Sequence, residues 1–107
     1  MNIEVLVVPD CPHEKPAVEL LRRVLDDFAL QDVRFGTRVI SDTREAERAT
    51  FTGSPTFLLD GHDPFADPGR APGLACRLYR TPGGLAVLPT PAQLREALET
   101  AADDSSH

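Results

Sequence analysis

Tryptophan is absent from this chain, and its 107 residues include one tyrosine, one methionine and two cysteines. Aromatics make up 6% of the sequence, too few for the run of rings on which single-stranded nucleic acid stacks. Basic residues are also scarce, 11 Lys and Arg against 17 Asp and Glu, for a net charge of −6. That balance excludes the basic surface that phosphate backbones and anionic membranes select. No apolar run approaches the roughly 20 residues that span a bilayer. Met1 to Val8 is too short, and too acidic at Glu4, for a signal peptide. A cytoplasmic protein with no nucleic-acid and no membrane partner is therefore expected. Two cysteines are too few for a disulfide framework, and in a reducing compartment they read as reactive or metal-binding.

What is present fits one modest globular core, with 41% hydrophobic residues. The domain is expected to cover residues 1–102, with 103–107 as a disordered polar tail. Ile3 to Val8 is expected to be the first strand, and its four apolar residues Val5 to Val8 are continuous rather than alternating, the pattern of a strand covered on both faces. Pro9 ends it, and Cys11 follows at the strand's C-terminal end. Ala17, Leu20, Leu21, Val24, Leu25 and Phe28 then recur at helical spacing, predicting an amphipathic helix from near His13 to near Leu30. Pro12 suits its first turn, where a missing N–H costs nothing, and Pro16 either lies in that turn too or kinks the helix. Val33, Phe35, Thr37 and Val39 alternate with polar residues, predicting a second strand over 33–40, parallel to the first. Asp42 or Thr43 caps a short charged helix running to about Thr50.

Gly53-Ser54-Pro55-Thr56 breaks that helix and leads into a third strand, Phe57 to Leu59, closed by the turn signal Asp60-Gly61. The segment 61–75 is an irregular loop of the kind that often forms lids. Its His62, Asp63 and Asp67 lack ligand spacing, so no metal site is expected there. Cys76 to Arg80 and Leu85 to Leu88 predict a hairpin around the four-residue loop Thr81-Pro82-Gly83-Gly84. Thr90-Pro91-Ala92-Gln93 reads as a capping box opening a last helix.

Chemistry concentrates at Cys11. A thiol between a strand and a helix lies beside unpaired backbone N–H groups and the positive end of the helix dipole, a setting that favours thiolate. His13 adds a donor or a positive charge there, whereas Asp10 and Glu14 oppose it. The other reading of Cys11 is a small buried hydrophobe beside a turn.

The element order, with Cys11 after the first strand and Ser54-Pro55-Thr56 before the third, resembles the thioredoxin superfamily. The resemblance implies an α/β thioredoxin-like fold, β-α-β-α-β-β-α, with a four- to five-strand mixed sheet flanked by helices. It matches Cys11 to the family's nucleophile and Pro55 to its cis-proline, with Pro12, Ser54, Pro55 and Thr56 lining the substrate and His13 and Glu14 flanking the thiol. Cys11-Pro12-His13 looks like the start of the Cys-Pro-His-Cys motif of periplasmic disulfide oxidases, but the fourth position is Glu14. Exchange through a local dithiol is thereby excluded, and a monothiol mechanism remains. A second resemblance is to small actinobacterial thioredoxin-fold proteins described as alkylmercury-lyase-like. It is carried by Cys11-Pro12, by Ser54-Pro55-Thr56 through Asp60-Gly61, and by Ala75-Cys76-Arg77-Leu78 before Pro89-Thr90. It implies thiolates from Cys11 and Cys76 for a soft metal or mercurial, and an acid from Asp10, Glu14 or Asp63.

Two function classes follow. One is a thiol-dependent oxidoreductase or alkylmercury-lyase-like enzyme using Cys11, with or without Cys76, on a small thiol, a protein disulfide or a mercurial, and with no cofactor. The other is a non-catalytic thioredoxin-like binding module. Cys76 discriminates between mechanisms. If Arg80 pairs with Leu85 and Tyr79 with Ala86, continuing the register sets Cys76 opposite Pro89, at the Cys11 end of the sheet. In the competing register Cys76 opens the fourth strand at the far end, roughly 17 Å away.

Overall fold

The computed structural model describes residues 2–27, 33–66, 69 and 71–105. In order, it contains β1 (Ile3–Val7), α1 (Glu14–Asp27), β2 (Phe35–Val39), α2 (Thr43–Ala49), β3 (Thr56–Leu59), β4 (Tyr79–Thr81), β5 (Gly84–Ala86) and α3 (Pro91–Ser105). The protein is thus mixed α/β. β1 is central, parallel to β2 and antiparallel to β3, in the order β2-β1-β3.

The doubly covered first strand forms as its composition requires. Ile3, Val5 and Val7 enter one core with Ala17, Leu21, Val24 and Leu25 of α1, Phe57 and Leu59 of β3, and Leu94 and Leu98 of α3. Leu6 faces the other way, with Ile40, Phe51, Leu58 and Ala46 of α2. Alternation along β1 and β3 thereby assigns α1 and α3 to one face and α2 to the other. β2 is an edge strand whose residues beyond Phe35 are exposed, Val39 included, so its expected inward alternation stops at Phe35.

Helix ends follow local chemistry. The Asp42 side chain accepts the Glu45 N–H at 2.8 Å and caps α2. Thr90 and Gln93 form both bonds of the capping box, at 2.9 and 3.1 Å, and Pro91 takes the first helical position. Pro16 lies in the first turn of α1, where its missing N–H has no helical acceptor. The end expected near Leu30 falls on residues 28–32, outside the described residues. α3 runs to Ser105, so the first three residues of the expected tail are helical.

The expected four- to five-strand sheet does not form. The main sheet has three strands, and β4 and β5 make a separate two-stranded ladder. Its register is Tyr79↔Ala86, Arg80↔Leu85 and Thr81↔Gly84, so the turn is the two residues Pro82-Gly83 rather than four. Among the described residues one bridge, Ser54↔Cys76, joins the returning chain to the approach of β3, and it is parallel. The bridge uses the N–H and C=O of Ser54, which bond Ala75 O and Arg77 N–H, so Cys76 pairs with Ser54 and not with Pro89, the partner that the continued hairpin register had implied. The Pro55 carbonyl accepts the Tyr79 hydroxyl.

Candidate functional site

The chain leaves β1 through a tight turn. Asp10 adopts a left-handed φ of 58°, a conformation that Asp tolerates better than most residues. The turn folds Cys11 back so that its N–H donates to Val8 O at 3.3 Å, and Cys11 O accepts the Glu14 N–H at 3.3 Å. Cys11 is thus fixed three residues ahead of α1. It is half-buried and packs against the larger core.

Ser54 faces it. The Ser54 hydroxyl donates to Cys11 Sγ at 2.9 Å and accepts the Val8 N–H at 3.1 Å. The side chain is fully buried, so the hydroxyl proton is committed to sulfur by the backbone donor on its other side. A donor aimed at sulfur is the arrangement that accommodates negative charge there. The Ser54–Pro55 peptide is cis, as expected.

Ser54 is also the backbone link to the second thiol. Its N–H donates to Ala75 O at 3.0 Å, and its carbonyl accepts the Arg77 N–H at 3.1 Å, bracketing Cys76. Paired residues in neighbouring strands have backbones about 5 Å apart. Cys76 therefore lies beside the residue that touches Cys11, at the same end of the sheet, and is exposed.

The close approach of these two segments depends on Gly53. Its φ is +136°, and a Cβ there would stand 2.8 Å from Arg77 Cβ and 3.1 Å from Arg77 Cα. Gly53→Ala is expected to cost about 1–3 kcal/mol of stability through backbone strain and this clash. A urea melt checks it; a midpoint equal to that of the parent protein would contradict the close approach.

The remaining candidate residues divide. Pro12 is exposed in the turn, and His13 and Glu14 are half-buried at the start of α1. Asp10 is exposed. Pro55 and Thr56 are buried, and the Thr56 hydroxyl donates to Gly53 O at 2.6 Å and accepts Arg77 Nη1 at 3.1 Å. Asp63 is committed to Arg77, with Nη1 to Oδ2 at 2.7 Å. Of the three expected acids, Asp10 and Glu14 are the two that flank Cys11 in the chain. Among the described residues no group of three His, Cys, Asp or Glu side chains is arranged to hold a metal; Asp67 lies outside them. No helix among the described residues is long and apolar enough to cross a membrane.

Arg77 is the residue that sequence reasoning missed. It is 3% exposed, and its guanidinium reaches Thr56, Asp63 and the Phe65 carbonyl while stacking 4.6 Å above the Tyr79 ring. One signal was available, an arginine in an otherwise apolar stretch before a tyrosine, but nothing in the sequence names its partners.

Removing the Ser54 hydroxyl should disturb the thiol directly. Ser54→Ala is expected to slow alkylation of Cys11 several-fold, and Ser54→Thr to restore part of the rate, as read by iodoacetamide kinetics. Equal rates in all three proteins would mean that the hydroxyl does not act on the sulfur.

No protein-family model matches this chain, and no curated protein or solved structure is significantly similar to it.

Proposed function

We propose that this is a thioredoxin-like thiol protein that performs thiol–disulfide exchange at Cys11 Sγ, with Cys76 as its second thiol. The observation that carries the reading is Ser54, whose hydroxyl donates to Cys11 and whose backbone pairs with Cys76. The Glu14 position leaves no local dithiol, so the resolving thiol comes from elsewhere in the fold or from solution.

The chemistry follows from thiolate attack on a disulfide sulfur. Cys11 attacks R–S–S–R′, the old S–S bond breaks, R′–S⁻ leaves, and a Cys11–S–S–R mixed disulfide forms. The Cys76 thiolate then attacks Cys11 Sγ and expels R–S⁻, leaving both cysteines oxidised. Two equivalents of a small-molecule thiol then supply two electrons, return both cysteines to the thiol state and leave as its disulfide. The same two soft donors suit a thiophilic metal or a mercurial, which keeps organomercurial chemistry as a related use of the pair.

Reactivity of Cys11 alone is the first test. In Cys76→Ser protein, iodoacetamide should modify Cys11 faster in the folded chain than in the chain unfolded by urea, at matched denaturant-corrected reagent reactivity. A folded rate at or below the unfolded rate would remove the nucleophile and leave the non-catalytic binding module.

A further inference from the structure

A cavity of about 630 Å³ opens between α3 and the chain that follows β3. It is remote from the thiols, because Leu59 pairs with Ile3 at the start of β1 whereas Cys11 follows its end. Leu59, Phe65, Ala97 and Ala101 give it apolar walls, and Asp60, His62 and Glu96 line it with polar groups. Its volume falls within the range of small-molecule sites.

The cleft is held open by bonding on one wall and small side chains on the other. Leu59 and His62 exchange backbone hydrogen bonds at 2.8 and 3.0 Å, closing the turn after β3. Phe65 N–H donates to Asp63 Oδ1 at 2.9 Å, and Phe65 O accepts Arg77 Nη2 at 2.6 Å. The Phe65 ring packs edge-on against Tyr79, with centroids 5.4 Å apart. The loop is therefore pinned to Arg77 and Tyr79, and the alanines of α3 line the opposite wall. A preformed cleft needs little reorganisation on binding.

Charge selects the occupant. The formal charges among the lining residues, Asp60 and Glu96, are both negative, on a chain of net charge −6. We propose that this cleft is a second binding site, for a small organic amine with an apolar body. The ammonium group faces the Glu96 carboxylate and that of Asp60, whose Oδ1 also accepts the Asn2 N–H at 2.7 Å, and the apolar body lies against Phe65, Ala97 and Ala101. An isosteric anion meets the same carboxylates with repulsion, and a neutral isostere keeps only the apolar contact. This site is independent of the thiol reading.

The test uses three probes of one shape on the full chain: 2-phenylethylamine, 2-phenylethanol and 3-phenylpropionate. Binding is followed by NMR at pH 8, where an ordinary imidazole is neutral and an alkylamine is charged. The amine should shift the Phe65, Ala97 and Ala101 resonances saturably and bind about tenfold more tightly than the carboxylate. Glu96→Gln should weaken the amine by about two- to fivefold, as expected for an exposed charge pair, and leave the alcohol unchanged. Ala97→Leu should block all three probes. Equal affinity for amine and carboxylate, no saturable shift at these residues, or amine binding unchanged in Glu96→Gln would each overturn the proposal. The Glu96 arm decides alone if Ala97→Leu fails to fold.

Discussion

Arg77→Met is expected to lower folding stability by about 3–5 kcal/mol, the cost of breaking a buried ion pair from one side. The side chains of Arg77 and Asp63 are only 3% and 10% exposed. Deleting the guanidinium strands the Asp63 carboxylate and also removes the donor from the Phe65 carbonyl and from Thr56 Oγ1. Each buried acceptor left without a partner adds its own desolvation cost. The same change removes the bonds that tie the 61–66 loop through Arg77 to Thr56 of β3, while the Phe65–Tyr79 ring contact to the hairpin stays. Urea denaturation measures the loss. The double variant Asp63→Leu/Arg77→Met should be less destabilised than Arg77→Met alone, because no lone charge stays buried. A loss under about 1 kcal/mol for the single variant, the range of an exposed pair, would mean that the pair is solvated.

Cys11→Ser is expected to abolish disulfide exchange, since a serine hydroxyl does not replace a thiolate nucleophile. Its fold should persist, because the serine Oγ can accept the same Ser54 proton that Cys11 Sγ accepts. Cys76→Ser should act at a different step. Attack on an aromatic disulfide proceeds, but the Cys11 mixed disulfide accumulates until a small thiol resolves it. Mass spectrometry separates the outcomes: only the slow adduct of exposed Cys76 in Cys11→Ser, a fast and persistent adduct at Cys11 in Cys76→Ser, and a two-hydrogen loss without adduct in the parent chain. Adduct confined to Cys76 in the parent protein would reverse the assigned roles.

Much of the fold was legible because it rests on local rules. The run Val5 to Val8 predicted a strand covered on both faces, and its alternate residues enter two separate cores. The capping residues Asp42 and Thr90 marked helix starts correctly. The register Tyr79 with Ala86 followed from the hairpin turn alone. Long-range pairing was less legible. Apolar periodicity places a residue on a face but does not choose its partner across a loop. Cys76 was expected to extend the hairpin, yet it pairs with Ser54, whose N–H and C=O bond the residues on either side of it. The Arg77 cluster was invisible for the same reason, since Asp63 and Thr56 are 14 and 21 residues away in the chain. At the site, Cys11 stood out by its place after the strand. The contact from Ser54 spans 43 residues, and only the resemblance to thioredoxins brought the two segments together in advance.

Titration with a mercuric salt tests the joint use of the two thiols most directly. Two thiolates beside one another bind a soft cation far more tightly than either alone. The parent chain should take up one equivalent per chain at a tight site that resists competition by a monothiol. Cys11→Ser and Cys76→Ser should each lose it and keep only the weak binding of a lone cysteine. Unchanged tight binding in Cys76→Ser, or two independent weak sites in the parent chain, would contradict a shared Cys11–Cys76 centre.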